Sequence, residues 1–405
     1  MLLVANHLLS GFFIRKQSEI GEHLYKKIMK EHSERLYGLD HLRTAAILLV
    51  LLYHYRAFKH PGWVDSIGRF GWTGVDLFFV LSGFLISGQL FKEIENNGSV
   101  SLKTFYLKRF FRIIPAYCFT LFLYFTFPFF REREALSPLW KFVTFTQNYG
   151  LNVISRGTFS HAWSLCIEEQ FYLILPLFLL IVMPTKLFKY IAVLMIAVIG
   201  FSIVARLMAW NECIAVPETF STDFWKLWYM KIYYPTHTRL DGLGMGVLIG
   251  YLMQYSSIFK RIVAGNGNKL FFLGILLLGI SFWICNEQAS KAASVFGFTL
   301  VAVSYGMILM AAISQSSFLY RLKSYITAQL AAMSYAVYLS HKGIIHMVQE
   351  LLDYFKLETS DNITILICLF ACVLGGLFYR FVIEKPFSVI KSRVLKKFTQ
   401  APKSA

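Results

Sequence analysis

The chain has 405 residues, 56% hydrophobic and 17% aromatic, with only 16% charged and a net charge of +17. Soluble domains carry about 25% charged residues, so this composition excludes the soluble globular class and predicts an all-α polytopic membrane protein. In a soluble chain the positive balance would suggest a nucleic-acid partner; here no nucleic acid is expected, because basic loops on one membrane face account for the charge.

In chain order, residues 1–37 form a basic lead whose apolar start, Met1 to Ile14, is too short to span and is followed by Arg15 and Lys16. Residues 38–388 hold about ten candidate transmembrane helices, at 42–58, 72–91, 113–130, 165–183, 187–209, 236–255, 270–285, 293–313, 330–350 and 363–383. Most have the roughly 17–25 residues a bilayer core requires. Residues 389–405 form a basic tail. With ten spans, Lys and Arg are more than twofold in excess on the side that carries both termini. Both termini are therefore expected on the cytoplasmic side of a multi-pass membrane chain. The six cysteines show no C-x-x-C pair and no His/Cys metal spacing, so they read as small packing residues and no metal site is expected.

The stretch Leu39–Phe91 is where chemistry first shows. Its two apolar runs carry Arg43 and His54 in the first and Asp76 in the second. Ionisable groups in a lipid-facing helix cost a few kcal/mol each, so those present face a protein interior or a watery cavity. Arg43 and His54 are eleven residues apart, which returns them to one helix face with a rise of about 16 Å. The numbering sets Asp76 near the same membrane surface as His54, as a general-base pair or as a polar clasp between two helices. Lys108, Arg109 and Arg112 follow at the cytoplasmic mouth of the third span. They fit the phosphates of a nucleotide-type ligand, or serve as topology anchors.

The long loop 131–164 carries His161 and leads into HAWSLCIEEQFYLILP, residues 161–176. Glu168 and Glu169 at a membrane entrance are costly unless used or paired. Trp163, Ser164, Glu169 and Tyr172 form a candidate acceptor surface, an aromatic beside polar groups being either a sugar-docking face or an interface anchor. The aromatics of the loop 210–235, Trp210, Trp225, Trp228 and Tyr229, read as a membrane-interface belt. Gly242, Gly246 and Gly250 form a small-residue stripe for close helix packing, with Arg239 and Asp241 at its mouth and in reach of each other. His341, in SYAVYLSHKGIIH, is intramembrane and supports no role by itself. His60 and Asp65, five apart on a short loop broken by Pro and Gly, imitate an acyltransferase pair and are set aside.

Together LDHLRTAAILLVLLYH, GVDLFFVLSGFLI, KRFFRIIPAY, WSLCIEEQFYLILP, SYAVYLSH and the closing EKPF resemble the acyltransferase-3 family of membrane acyltransferases, in that family's order, over roughly 38–388. The family includes O-acetyltransferases of O-antigen, capsule and exopolysaccharide, and glucan succinyltransferases. The resemblance implies that Arg43 and His54 are the Arg and His needed for activity, and that Arg109 and Arg112, with Lys108 beside them, meet the acyl-CoA. The chain is expected to resemble the stand-alone type, without the C-terminal esterase-like domain that some family members carry. The expected activity is an O-acetyltransferase with no permanently bound cofactor. Acetyl-CoA is the expected donor, and an envelope glycan or its lipid-linked saccharide precursor the acceptor. The CoA arm would thread from the Arg mouth to His54, oriented by Asp76 or Glu168. The rival reading is a transporter or flippase of lipid-linked sugars; inverted halves would favour it, and none is visible.

Overall fold

A computed structural model describes residues 35–214 and 223–400. The lead expected over 1–37 therefore lies outside the described residues, except its last three, as do the final five residues of the tail. Among the described residues there is no strand beyond an isolated bridge between Leu136 and Thr158. Eleven long helices organise the chain: α1 Tyr37–Tyr55, α2 Thr73–Asn97, α3 Leu102–Thr126, α4 Trp163–Val182, α5 Ile191–Ala209, α6 Asp241–Tyr255, α7 Gly267–Ile284, α8 Phe298–Ile313, α9 Tyr325–Tyr354, α10 Asn362–Phe378 and α11 Lys385–Gln400.

All ten segments expected to span fall on helices, but ten is not the number that satisfies a membrane test. Six helical runs are long and apolar enough to cross, or seven if α6 and Ser257–Gly265, bent by 105°, act as one span. The difference has a physical cause. Helices α1, α3 and α9 have 19, 25 and 30 residues, so length does not exclude them. Their polar side chains instead lower their mean hydropathy, because α1, α3 and α9 carry Arg43 and His54, Lys108 to Arg112, and Ser334 to Lys342, the groups around which the site is built.

Helix ends are set locally. Ser101 caps α3 by accepting from Thr104 N–H, Ser324 caps α9 through Thr327, and Asp361 accepts from Thr364 N–H at 2.7 Å to start α10. Gly98, with φ of 67°, ends α2 in the left-handed conformation. Because α3 begins at Leu102, Arg109 and Arg112 lie within it rather than at its mouth.

Helices α1, α2, α6, α8 and α9 form the buried centre, and α5, α7 and α10 turn apolar side chains such as Ile196, Leu276 and Leu366 outward. The tightest seam joins α2 to α6. A Cβ at Gly246 would sit 2.3 Å from Val80 O, and one at Gly83 2.3 Å from Leu243 O. The two backbones touch there, as the glycine stripe implies.

Candidate active site

His54, one residue from the end of α1, does not meet a carboxylate. Its Nδ1 lies 2.8 Å from Nε2 of His341 on α9. His341 Nδ1 is 2.8 Å from Tyr338 O and 3.2 Å from Val337 O. A carbonyl only accepts, so the His341 Nδ1 carries hydrogen. In a neutral ring its Nε2 then accepts, and His54 Nδ1–H donates to it. His54 Nε2 is left as a bare lone pair with no partner among the described residues.

His161 completes the cluster, its ring centroid 4.8 Å from that of His341 and 5.7 Å from that of His54. It arrives from the loop before α4, after Phe159, whose φ of 53° is left-handed. The conformation is held by Phe159 stacking on Tyr124 and Phe142 at 4.5 and 5.6 Å. A non-glycine residue in this region stores about 1–3 kcal/mol and persists only under such packing. A buried pair, Lys342 Nζ to Glu132 Oε1 at 2.7 Å, ties the same loop to α9. Three imidazoles invite a metal reading, but among the described residues no group of three or more potential ligands could hold a metal ion. Two of the rings already donate to carbonyls, His341 to Tyr338 and His161 Nε2 to Leu339 O at 3.3 Å.

His54 and His161 line a cavity of about 270 Å³. Tyr53, Trp72, Trp163, Tyr229, Tyr233 and Tyr234 wall it, with Arg56, Arg133 and Lys342 at its edge. The loop 210–235 is thus not simply an interface belt: Trp225 is 52% exposed, but Trp228 is fully buried, stacked on Tyr233 and donating to Ser294 Oγ at 2.8 Å.

A second cavity, about 510 Å³, gathers Arg43, Lys108, Arg109, Arg112 and Lys391, five cations, against two carboxylates, Glu168 and Glu169. Arg109 donates to Gln89 Oε1 at 3.0 Å, and its Nε is buried with no partner among the described residues. Arg43 is only loosely neutralised, 3.6 Å from Asp40, which Arg35 holds more closely at 2.6 Å.

The predicted passage from the basic mouth to His54 is therefore two cavities back to back, not one tunnel. Val75 lines both. On α4, Trp163 faces the His54 cavity while Ser164, Glu168, Glu169 and Tyr172 face the basic one. The expected acceptor set divides accordingly, with Trp163 alone beside His54. Ser164 Oγ is 2.5 Å from Tyr338 OH, which also donates to His161 O at 2.8 Å, closing the wall from the α9 side. Glu168 accepts from Tyr172 OH at 3.1 Å and does not orient His54.

Asp76 is likewise not the partner of His54. It is buried and paired with Arg239 at 2.8 Å, and Arg239 packs its guanidinium 3.9 Å from the Phe298 ring centroid. Asp241, expected near Arg239, instead pairs with Arg206 of α5 at 2.6 Å. His60 and Asp65 are 3.4 Å apart, but Asp65 is held by Arg56 at 2.9 Å, and neither lines either of these two cavities.

The family of acyltransferase domains called acyltransferase 3 matches residues 36–379. The chain belongs to this family. Among curated proteins, the O-acetyltransferase OatA of Staphylococcus aureus is 26% identical over 406 residues, covering 94% of this chain and 61% of the relative. The peptidoglycan O-acetyltransferase OatA of Listeria monocytogenes is 29% identical over 333 residues, covering 78% of this chain and 50% of the relative. The chain thus spans between half and three fifths of the length of these relatives. No solved structure matches it.

The site residues that the sequence did not single out are Tyr338, Lys342 and Lys391, together with Tyr53, Tyr233 and Tyr234 of the His54 wall; His161 and Tyr229 were visible on their loops but without a role at this site. His341 was visible as an intramembrane ionisable group. Its partner could not be read, because 287 residues separate it from His54.

Proposed function

We propose that this acyltransferase moves an acetyl group from acetyl-CoA to a sugar hydroxyl of a cell-envelope glycan or its lipid-linked precursor, in the bacterial inner membrane. The observation that carries the reading is the pair of back-to-back cavities. One is rich in unpaired cations, and the other is aromatic with the lone pair of His54 beside it. The first suits the phosphates of CoA, for which planar, bidentate Arg donors are well made. The second suits a sugar, whose apolar faces pack on aromatic rings while its hydroxyls find polar edges. The charge bias of the loops supports both termini in the cytoplasm, which puts the basic cavity on the side where acyl-CoA is made.

In this reading Arg109, Arg112 and Lys108 hold the donor phosphates. Arg43, at the same cavity, offsets donor charge closer to the thioester. The acyl end passes the Val75 wall, and the acceptor hydroxyl sits at His54 Nε2. His54 removes the hydroxyl proton as the oxygen attacks the thioester carbonyl, and returns a proton to the departing CoA sulfur. His341 fixes the tautomer that makes this possible. The names of the relatives add peptidoglycan to the acceptor classes of O-antigen, capsule and exopolysaccharide. The test is acetyl transfer from labelled acetyl-CoA in proteoliposomes, with glycan fragments supplied on the opposite side. His54→Ala is expected to lower kcat by about 10²–10⁴. Wild-type turnover in that variant, or glycan transport without acetyl consumption, overturns the proposal.

A further inference from the structure

The family match ends at residue 379, and the basic tail helix beyond it has no assigned role. It is not a detached appendage. Helix α10 continues through a π-helical turn, Tyr379–Glu384, directly into α11. Tyr379 fixes this continuation to α3, its hydroxyl 2.8 Å from Thr120 Oγ1 and its ring 5.3 Å from that of Phe119. From that anchor α3 runs back to Arg112 and Arg109 while the tail runs forward to Lys391. The two paths are about 12–17 Å and about 18 Å of helix, so an antiparallel tail sets Lys391 opposite the Arg pair. Lys391 indeed lines the same cavity as Lys108, Arg109 and Arg112.

Two further observations separate Lys391 from an ordinary membrane-surface lysine. Of the tail cations at 385, 391, 393 and 396, only Lys391 lines the cavity, and Lys385 instead lies over the Phe381 ring at 5.8 Å. Among the described residues none of Lys108, Arg109, Arg112 and Lys391 is ion-paired. With Arg43 they make five cations against only Glu168 and Glu169 in the same cavity, a positive excess that a further anion would relieve. The buried, unpartnered Nε of Arg109 is a donor waiting for the same ligand.

We infer that Lys391 is a fourth phosphate-binding cation of the donor site, and that α11 is the wall that closes this site over a CoA-type polyanion. The inference rests on the reading of the basic cavity as the donor site. The ligand chemistry is phosphate, whether it comes from CoA or from an anionic lipid headgroup, and the experiment tells these apart.

The full chain is placed in nanodiscs of phosphatidylcholine or of phosphatidylglycerol, and binding of labelled CoA is measured. Lys391→Met keeps the aliphatic stem and removes the charge, so packing along the helix is retained. In neutral nanodiscs it should weaken CoA binding roughly ten-fold, the scale of one hydrogen bond to a charged group. Lys391→Arg should restore affinity, and Lys385→Ala should match wild type. Equal CoA affinity in wild type and Lys391→Met overturns the assignment. So does a Lys391→Met defect confined to phosphatidylglycerol, which would make the residue a lipid contact. If the wild-type chain binds no CoA in either membrane, the donor-site reading falls and this inference falls with it.

Discussion

Replacing His341 isolates what the imidazole pair does. In His341→Ala the His54 Nδ1–H loses the acceptor 2.8 Å away and the ring is free to take either tautomer. A neutral hydrogen bond contributes about 0.5–1.5 kcal/mol net, and leaving a buried donor unsatisfied costs about 1–3 kcal/mol. At about 1.4 kcal/mol per factor of ten, kcat should fall by roughly 5- to 150-fold. The loss should appear in kcat, with KM for acetyl-CoA unchanged, since His341 does not line the basic cavity. His341→Gln offers a carbonyl oxygen to His54 Nδ1–H and should recover most of the rate. The assay is steady-state transfer of labelled acetyl in proteoliposomes, with thermal unfolding in detergent to confirm that each variant folds. Folded His341→Ala within twofold of wild-type kcat, or folded His341→Gln no better than the alanine variant, refutes the tautomer argument.

Other substitutions test the remaining parts of the architecture. Val75→Trp enlarges a side chain that borders both cavities; it should abolish transfer while labelled CoA still binds, and persisting transfer would place the acyl path elsewhere. Asp76→Asn strands the buried Arg239 charge and should cost about 3–5 kcal/mol of stability. Thermal unfolding reads this loss, and an unshifted melting temperature with lost turnover would instead restore Asp76 to the chemistry. Gly246→Ala forces a Cβ to 2.3 Å from Val80 O and should destabilise by about 1–3 kcal/mol; a neutral result would show that the α2–α6 seam can open. Arg109→Ala should raise KM for acetyl-CoA before it affects kcat, and an unchanged KM would remove it from donor binding.

The helical segments and the basic trio were legible because each signal is local: an apolar run, or cations three and four apart. The partners of the buried charges were not, because they come from helices remote in sequence. Asp76 illustrates the difference. It lies near His54 along the chain, which suggested a pair. Yet Asp76 and Gly83 are seven residues apart on α2, within about 20° of one face, and Gly83 is pressed against α6. The close seam turns that whole face of α2 toward α6, so Asp76 must look at the chain just before α6, where Arg239 waits. Helix α4 makes the same point. Ser164, Glu168 and Tyr172 are four apart and share one face, while Trp163 is turned about 100° from Ser164. A continuous string of polar residues in the sequence therefore serves two separate cavities.

The same geometry explains why an imidazole rather than a carboxylate supports His54. The buried acids near the His54 cavity are already committed to cations: Asp76 to Arg239, Asp241 to Arg206 and Glu132 to Lys342. An unmatched carboxylate in such surroundings is strongly unfavourable, and each of these carboxylates is held by its cation rather than free to turn toward a substrate. A His54–His341 pair is neutral at rest and needs no such partner, so it can stand beside an aromatic cavity at little desolvation cost. In the proposed reaction charge appears on His54 only while it holds the acceptor proton. Of the cations at the edge of the His54 cavity, Arg56 is held by Asp65 and Lys342 by Glu132, so the larger unpaired positive charge lies beyond Val75, in the basic cavity. On the proposed reading, separating most of the resting charge from the transient one would let a single helix bundle hold a polyanionic donor on one side and leave a neutral base on the other.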